Sequence, residues 1–306
     1  MADALSEVIS LLQPSAVYSK PIAAAGRWAV RYSEFGHPSF CVVLAGQCLL
    51  ATDGCATVTL ETGDFVLLPA TPAFTLSGFD AVEPEPLDPK VMAKFAGDIR
   101  YGDRKRKPEV TLLGGYFVFD TPNARLLVSL LPALIHVRAA ERLTTLVRLI
   151  AEETRERRPG SELVLNRLVE VLLAEALRST PQQGSPPGLL RGLADARLAR
   201  TIRLIHGEPA LAWTVQSLAK AAALSRSAFF LRFTQAVGMP PMQYLLAWRM
   251  AIAKDLLRRE DLGIAEIAGR VGYGSASAFS TAFKHQVGAP PSEYARALTS
   301  GPPRAA

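Results

Sequence analysis

Residues 225–244 and 275–294 carry nearly the same text, SRSAFFLRFTQAVGMPPMQY and SASAFSTAFKHQVGAPPSEY. At an offset of 50, half of the twenty positions are identical, among them Ser225/Ser275, Phe229/Phe279, Phe233/Phe283, Val237/Val287, Gly238/Gly288, Pro240/Pro290, Pro241/Pro291 and Tyr244/Tyr294. The preceding segments, VQSLAKAA (215–222) and IAEIAGRV (264–271), match at an offset of 49. The second copy therefore has one residue more in the turn. Self-similarity on this scale means that both copies take the same local fold, whatever that fold is.

Each copy reads as helix, tight turn, helix. Val215, Leu218 and Ala219 give the first helix a buried stripe, and Ile264, Ile267 and Ala268 do the same in the second copy. The turn falls near Ala223–Leu224 in one and at Gly272-Tyr273-Gly274 in the other. Ser225 and Ser275 then suit the N-cap, where a hydroxyl satisfies a free backbone N–H. Phe229, Phe233 and Val237 recur at every fourth position, so they share one face, as do Phe279, Phe283 and Val287. Gly238 and Gly288 stop the helices because they tolerate the left-handed conformation. Two short helices joined this way form a helix-turn-helix, whose second helix fits the major groove. The stretch between the copies, 242–259, reads as one long helix. About 17 residues would hold the units roughly 26 Å apart, of the order of the ~34 Å between successive major-groove faces.

The formal net charge of +6 is placed accordingly. Residues 193–300 hold 13 Lys and Arg against 7 Asp and Glu, while the rest of the chain is balanced. A basic segment attached to a neutral one points to a polyanionic partner for that segment, or to a merely basic surface.

Residues 193–298, and above all the run IAEIAGRVGYGSASAFSTAFKHQVGAPPSEY, resemble the DNA-binding domain of the AraC/XylS family of transcription regulators. The resemblance implies double-stranded DNA as partner. The faces opposite the buried aromatics are the candidate contacts: Arg226, Ser227, Phe230, Leu231, Arg232 and Gln235 in the first unit, flanked by Thr234. In the second they are Ala276, Ser277, Ser280, Thr281, Lys284 and His285. Many members of the family carry Arg where this chain has Leu231 and Thr281. The bidentate reading of guanine would be missing at both places. Phe230 and Leu231 could meet thymine methyls instead, or be extra core. Arg226, Arg232, Lys284 and His285 suit phosphate positioning, and Ser280 and Thr281 suit a base or a phosphate.

The length of 306 residues fits two domains. Residues 1–13 read as an amphipathic helix with Leu5, Val8, Ile9 and Leu12 on one face. From Trp28 to about Phe79, strand-length apolar runs alternate with turn signals: RWAVRYSEF, SFCVVLAG, QCLLAT, ATVTLE, TGDFVLLP and AFTLSG. Residues 80–110 read as an exposed loop with a basic cluster, Arg104 to Lys107, followed by a strand at VTLLGGYFVFD. Helices follow at Asn123–Leu131, Ala140–Arg158 and Ser161–Arg178, the last with a stripe at Leu165, Leu168, Val169, Leu172, Leu173 and Ala176. The expected fold class is α+β. A first domain is expected over 1–180, with a β-barrel at 14–120 and helices at 121–180; the family resemblance implies a regulatory and dimerisation role for it, cupin-like on the motif that follows. A linker spans 181–192, and an all-α domain with both helix-turn-helix units spans 193–300.

Gly63-Asp64-Phe65-Val66-Leu67-Leu68-Pro69 is similar to the second motif of the cupins found in a subset of AraC-type regulators. Metal-binding cupins carry a His five positions after that Pro, where this chain has Phe74, and His37 stands alone where their first motif clusters histidines. No metal and no other cofactor is therefore expected. In this family the resemblance implies a small-molecule effector and a homodimer. Trp28, Phe40, Phe65 and Phe74 are candidate pocket residues, with Phe79 beside them, and each is otherwise core. Cys41, Cys48 and Cys55 are seven apart and unpaired, which suits apolar strand cysteines better than a redox or metal role. If Asp53-Gly54 makes a two-residue turn, Cys48 faces Thr59 and Cys55 faces Thr52.

The expected function is a sequence-specific transcription factor responding to an effector, not an enzyme, with RNA polymerase as a further partner. The alternatives are a cupin enzyme bearing a DNA-binding tail and an architectural DNA-binding protein. No apolar run reaches the roughly 18–20 residues of a spanning helix. The start MADALSEVISLLQ carries acids and lacks the basic run of a secretory leader, so the expected compartment is the cytoplasm.

Overall fold

The computed structural model describes residues 3–94, 98–119, 124, 128, 130–156, 158–180, 187–259 and 262–299. By contact the chain divides into two units. One comprises Leu12–Asp120 with Leu131–Pro181, the other Met1–Leu11, Thr121–Leu130 and Gln182–Ala306.

The first unit is two sheets enclosing one core. Strands β1 (Pro14–Ala25), β2 (Ala29–Tyr32), β3 (Ser39–Ala45), β4 (Gln47–Thr52), β5 (Val58–Glu61), β6 (Phe65–Leu68) and β7 (Phe74–Ser77) come first. After them lie β8 (Glu85–Leu87), the short helix α1 (Pro89–Lys94), β9 (Ile99–Gly102), β10 (Val110–Phe119) and β11 (Ile135–Val137). The six-stranded sheet runs β11-β6-β3-β10-β1-β9 and the five-stranded sheet β5-β4-β7-β2-β8. The expected barrel is thus built as two facing sheets. Ile22 and Ala24 of β1, Val66 and Leu68 of β6, Leu76 of β7 and Leu112 of β10 pack between them. Each sheet supplies every second residue, as a pleated strand with one buried face must.

Residues 80–110 are more ordered than a loop. They hold β8, α1 and β9, elements of three to six residues that show too little periodicity to be read from sequence. Ile99 and Tyr101 are buried on either side of Arg100, which marks β9 as a half-buried edge strand. The basic run 104–107 is exposed, and Arg106 pairs with Glu109 at 2.8 Å. The hairpin register also differs from expectation by one residue: Cys48 faces Leu60, and Leu49 faces Thr59. Asp53-Gly54 does turn the chain, with Gly54 at φ +82° and the Cys55 N–H donating to the Thr52 carbonyl. The connection between β4 and β5 is five residues long, however, so pairing does not follow a two-residue turn. All three cysteines are free thiols.

Helices α2 (Glu141–Glu156) and α3 (Ser161–Ser179) pack on each other and against β1. Val169, Leu172, Leu173 and Ala176 form the buried stripe, while Leu165 and Leu168 are half-buried. Most of the helix expected at Asn123–Leu131 lies outside the described residues, as do 181–186 of the expected linker. The rest of that linker runs into α4 (Leu189–Ala194), which begins inside it and ends two residues beyond, with Leu189 and Leu190 buried.

The second unit holds α5 (Ala196–Gly207), α6 (Val215–Ala221), α7 (Arg226–Val237), α8 (Pro241–Arg259), α9 (Ile264–Arg270), α10 (Ala276–Val287) and α11 (Pro291–Thr299). It also holds all but the last residue of an N-terminal helix, αN (Ala4–Leu12), on which Leu5, Val8 and Ile9 are buried as expected. Glu7 of αN lies 3.0 Å from His206 of α5. The imidazole is stacked 3.7 Å from the Trp248 ring and bonded through Nε2 to the Tyr244 hydroxyl. Burial lowers the His206 pKa, opposed by the Glu7 carboxylate.

Candidate nucleic-acid interface and ligand cavity

The twin blocks fold into twin units. In the first, the Ser225 hydroxyl accepts from the Ala228 N–H at 3.3 Å and caps α7. In the second, Ser275 accepts from Ala278 at 3.2 Å and caps α10. The rings of Phe229 and Phe233 lie 5.5 Å apart, as do those of Phe279 and Phe283. Phe233 meets Tyr244 edge-on at 5.7 Å and Phe283 meets Tyr294 at 5.4 Å. Gly238 (φ +87°) and Gly288 (φ +93°) close the helices in the left-handed conformation. The turns correspond too: Leu224 N–H donates to Ala219, and Tyr273 N–H to Ala268. Their left-handed residues are Ala223 (φ +52°) and Gly272 (φ +80°). Only glycine fits at 272, because a Cβ there would lie 2.7 Å from the Ala210 carbonyl.

The long helix α8 serves both units. Tyr244, Leu245 and Trp248 are buried at its start, and Met250 and Ala253 join Ile267, Val271, Phe279 and Phe283 in the core of the second unit. Arg249 fixes the helix to the chain before α6 by donating to the carbonyls of Pro209 and Leu211.

With Phe229, Phe233, Phe279 and Phe283 wholly buried, the opposite faces of α7 and α10 are open. Arg226, Ser227, Phe230, Leu231 and Gln235 are exposed, so Phe230 and Leu231 are not extra core. Ser277, Thr281, Lys284 and His285 are exposed, and Ala276 and Ser280 are half-buried. Arg232 is exposed but engaged: its Nε binds the carboxylate of Asp195, which also caps α5. Sequence reading missed Asp195, because nothing local marks a residue 37 positions away as the partner of an arginine.

A cavity opens inside the first unit between the two sheets. Tyr18, Lys20, Tyr32, Phe40, Phe74 and Tyr116 are among its lining side chains. Two of the four expected pocket residues, Phe40 and Phe74, stand here, and two do not. Phe65 is buried on the opposite face of β6 from the lining residues Val66 and Leu68. Trp28 is buried in the core and stacked on Tyr101 at 6.0 Å. Phe79 is 61% exposed. Tyr18 donates to the Met92 carbonyl, and burial pushes its phenol up to about 12. The Lys20 ammonium lies 5.0 Å over the Tyr18 ring. Its pKa is lowered by burial, against the charge of Asp98. These residues of β1 escaped the sequence reading because Pro21 and three alanines obscure the strand; the signal was Tyr18, Lys20, Ile22 and Ala24 in alternation.

The Gly63-Asp64 segment does structural work. Asp64 accepts from the Glu61 N–H at 3.1 Å and lies 2.8 Å from His136 Nε2. Among the described residues no group of three His, Cys, Asp or Glu side chains could hold a metal.

Paired helix-turn-helix elements in one unit and a two-sheet domain with an internal cavity in the other define the class, a helix-turn-helix regulator with an N-terminal β domain. Residues 3–181 match the family model described as cupin, and residues 218–297 match one described as helix-turn-helix domain. The chain is 37% identical over 303 residues to a putative AraC-like transcription regulator of Streptomyces lividans, spanning 95% of this chain and 97% of that one. A second, from Streptomyces antibioticus, is 36% identical across 95% and 98% of the two chains. The HTH-type transcriptional regulator AlkR of Acinetobacter baylyi is 29% identical, again across 95% and 98%. The chain belongs to the AraC-type transcription regulators with an N-terminal cupin domain.

Proposed function

We propose that residues 193–300 bind double-stranded DNA sequence-specifically by setting α7 and α10 into successive turns of the major groove. The observation that carries this reading is the matched geometry of the two units, each with its second helix open on the face away from its core. Residues 1–180 then sense a small molecule in the cavity around Phe40 and Phe74 and join two copies, with 181–192 as the connection. Exposed Leu163, Val164 and Val171 on α3 support a second copy of the chain as the partner there. The protein acts by binding, not catalysis, in the cytoplasm, and RNA polymerase is its further partner. The relatives' names as transcription regulators favour this reading over an enzyme or an architectural protein. Mapping bound sites across the genome tests it: discrete sites upstream of genes are expected, and uniform or absent occupancy would overturn it.

A further inference from the structure

The centre of the first reading face is apolar. Phe230 is 45% exposed and Leu231 59%, side by side on α7, while Phe229 and Phe233 behind them are fully buried. Scattered single apolar residues on a surface are ordinary. Here two large ones are adjacent, at the middle of the helix that the fold turns outward, in the basic part of the chain. The cations of α7 do not occupy that centre. Arg226 sits in the first turn, and Arg232 is tied to Asp195. The corresponding positions of the second unit, Ser280 and Thr281, carry hydroxyls. The two faces thus offer different chemistry on the same scaffold.

In the major groove, the base edges present hydrogen-bonding atoms and one apolar group, the 5-methyl of thymine. Phe230 and Leu231 have no hydrogen-bonding side-chain atom, so among base edges only that methyl can repay their burial. We infer that the first helix-turn-helix unit selects thymine through its 5-methyl group, held against Phe230 and Leu231, while the second reads its half of the site by hydrogen bonding. This rests on the DNA-binding reading and adds the base that one half of the site must contain.

The test is selection by the full chain from two random duplex libraries, one made with thymidine and one with deoxyuridine, which differs only in lacking the methyl. The thymidine library should yield a two-part site with thymine fixed in one part. In the deoxyuridine library that part should lose its preference and the other part keep it. On the selected duplex, each thymine-to-uracil exchange in that part should weaken binding about fourfold, the factor matching ~0.8 kcal/mol per buried carbon. Leu231→Ser and Phe230→Ser, both at exposed positions, should weaken the thymine duplex and bind thymine and uracil duplexes alike. Identical sites from both libraries would overturn the inference and leave the apolar pair to a protein partner. A uracil penalty that survives both substitutions undiminished would also overturn it. Enrichment of no sequence from either library would remove the sequence-specific reading on which the inference rests.

Discussion

Phe283 shows how the repeat works at its smallest scale. Its ring is wholly buried, between Phe279 at 5.5 Å and Tyr294 at 5.4 Å, and Phe233 repeats the arrangement fifty residues earlier. Truncating either ring removes a full aromatic from a small core. Phe233→Ala and Phe283→Ala should each lower unfolding free energy by about 3–5 kcal/mol in urea denaturation. These roles were legible in the sequence because the repeat marks which aromatics are equivalent. The exposed Phe230 and Leu231 were not: an apolar side chain looks the same in a string whether it faces a core or a groove. Arg226, by contrast, is exposed at the start of α7. Arg226→Ala should weaken binding to all duplexes by a similar factor, since phosphates carry no sequence. A loss confined to one base position, measured on a panel of single-base variants, would assign it to base reading. The cysteines differ for a different reason. Burial pushes the Cys41 thiol up, and the Cys48 thiol up to about 12, so both are poor nucleophiles near neutrality. Mass mapping after brief alkylation of the native chain should find Cys55, which is exposed, modified first.

At the scale of elements, caps and turns decide where helices begin and end. The Ser225 and Ser275 hydroxyl oxygens each accept from an otherwise free backbone N–H, and replacing either by Ala should cost about 1 kcal/mol. The helices and caps of the repeat were readable because sequence-local rules govern them. The strand β1, the elements between 80 and 110 and the β4–β5 register were not, because their partners lie far along the chain: β1 pairs with β9 and β10, about ninety residues away. The N-terminal helix αN offers a test by pH. His206 is buried with its pKa held below the ordinary ~6.5, so the unfolded chain takes up the proton first as pH falls. Stability that this group leaves intact above that value is therefore lost progressively as pH drops below it. Glu7 counteracts the burial by favouring the imidazolium. Glu7→Gln should then make thermal unfolding more acid-sensitive between pH 6.5 and 5. Equal pH profiles for the two proteins would show that the 3.0 Å approach has no electrostatic consequence.

For the whole molecule, charge and architecture agree. The excess of +6 falls on the part of the chain that carries both helix-turn-helix units. Binding to duplex DNA should weaken steeply with salt as counterions are released. The repeat made both helix-turn-helix units legible, while the cavity had to wait for the sheets to be assembled, since its walls come from strands of both sheets together with α1. If α3 joins two copies, Val171→Glu should move the chain toward monomer in sedimentation velocity, since it puts a charge on an exposed apolar position. The central claim is that both units face outward into one duplex. Hydroxyl-radical footprinting on a selected duplex tests it most directly. Two protected patches per chain, about one helical turn apart on one side of the DNA, are expected. A single patch that Phe283→Tyr or Thr281→Ala leaves untouched, with no protection assignable to α10, would contradict it.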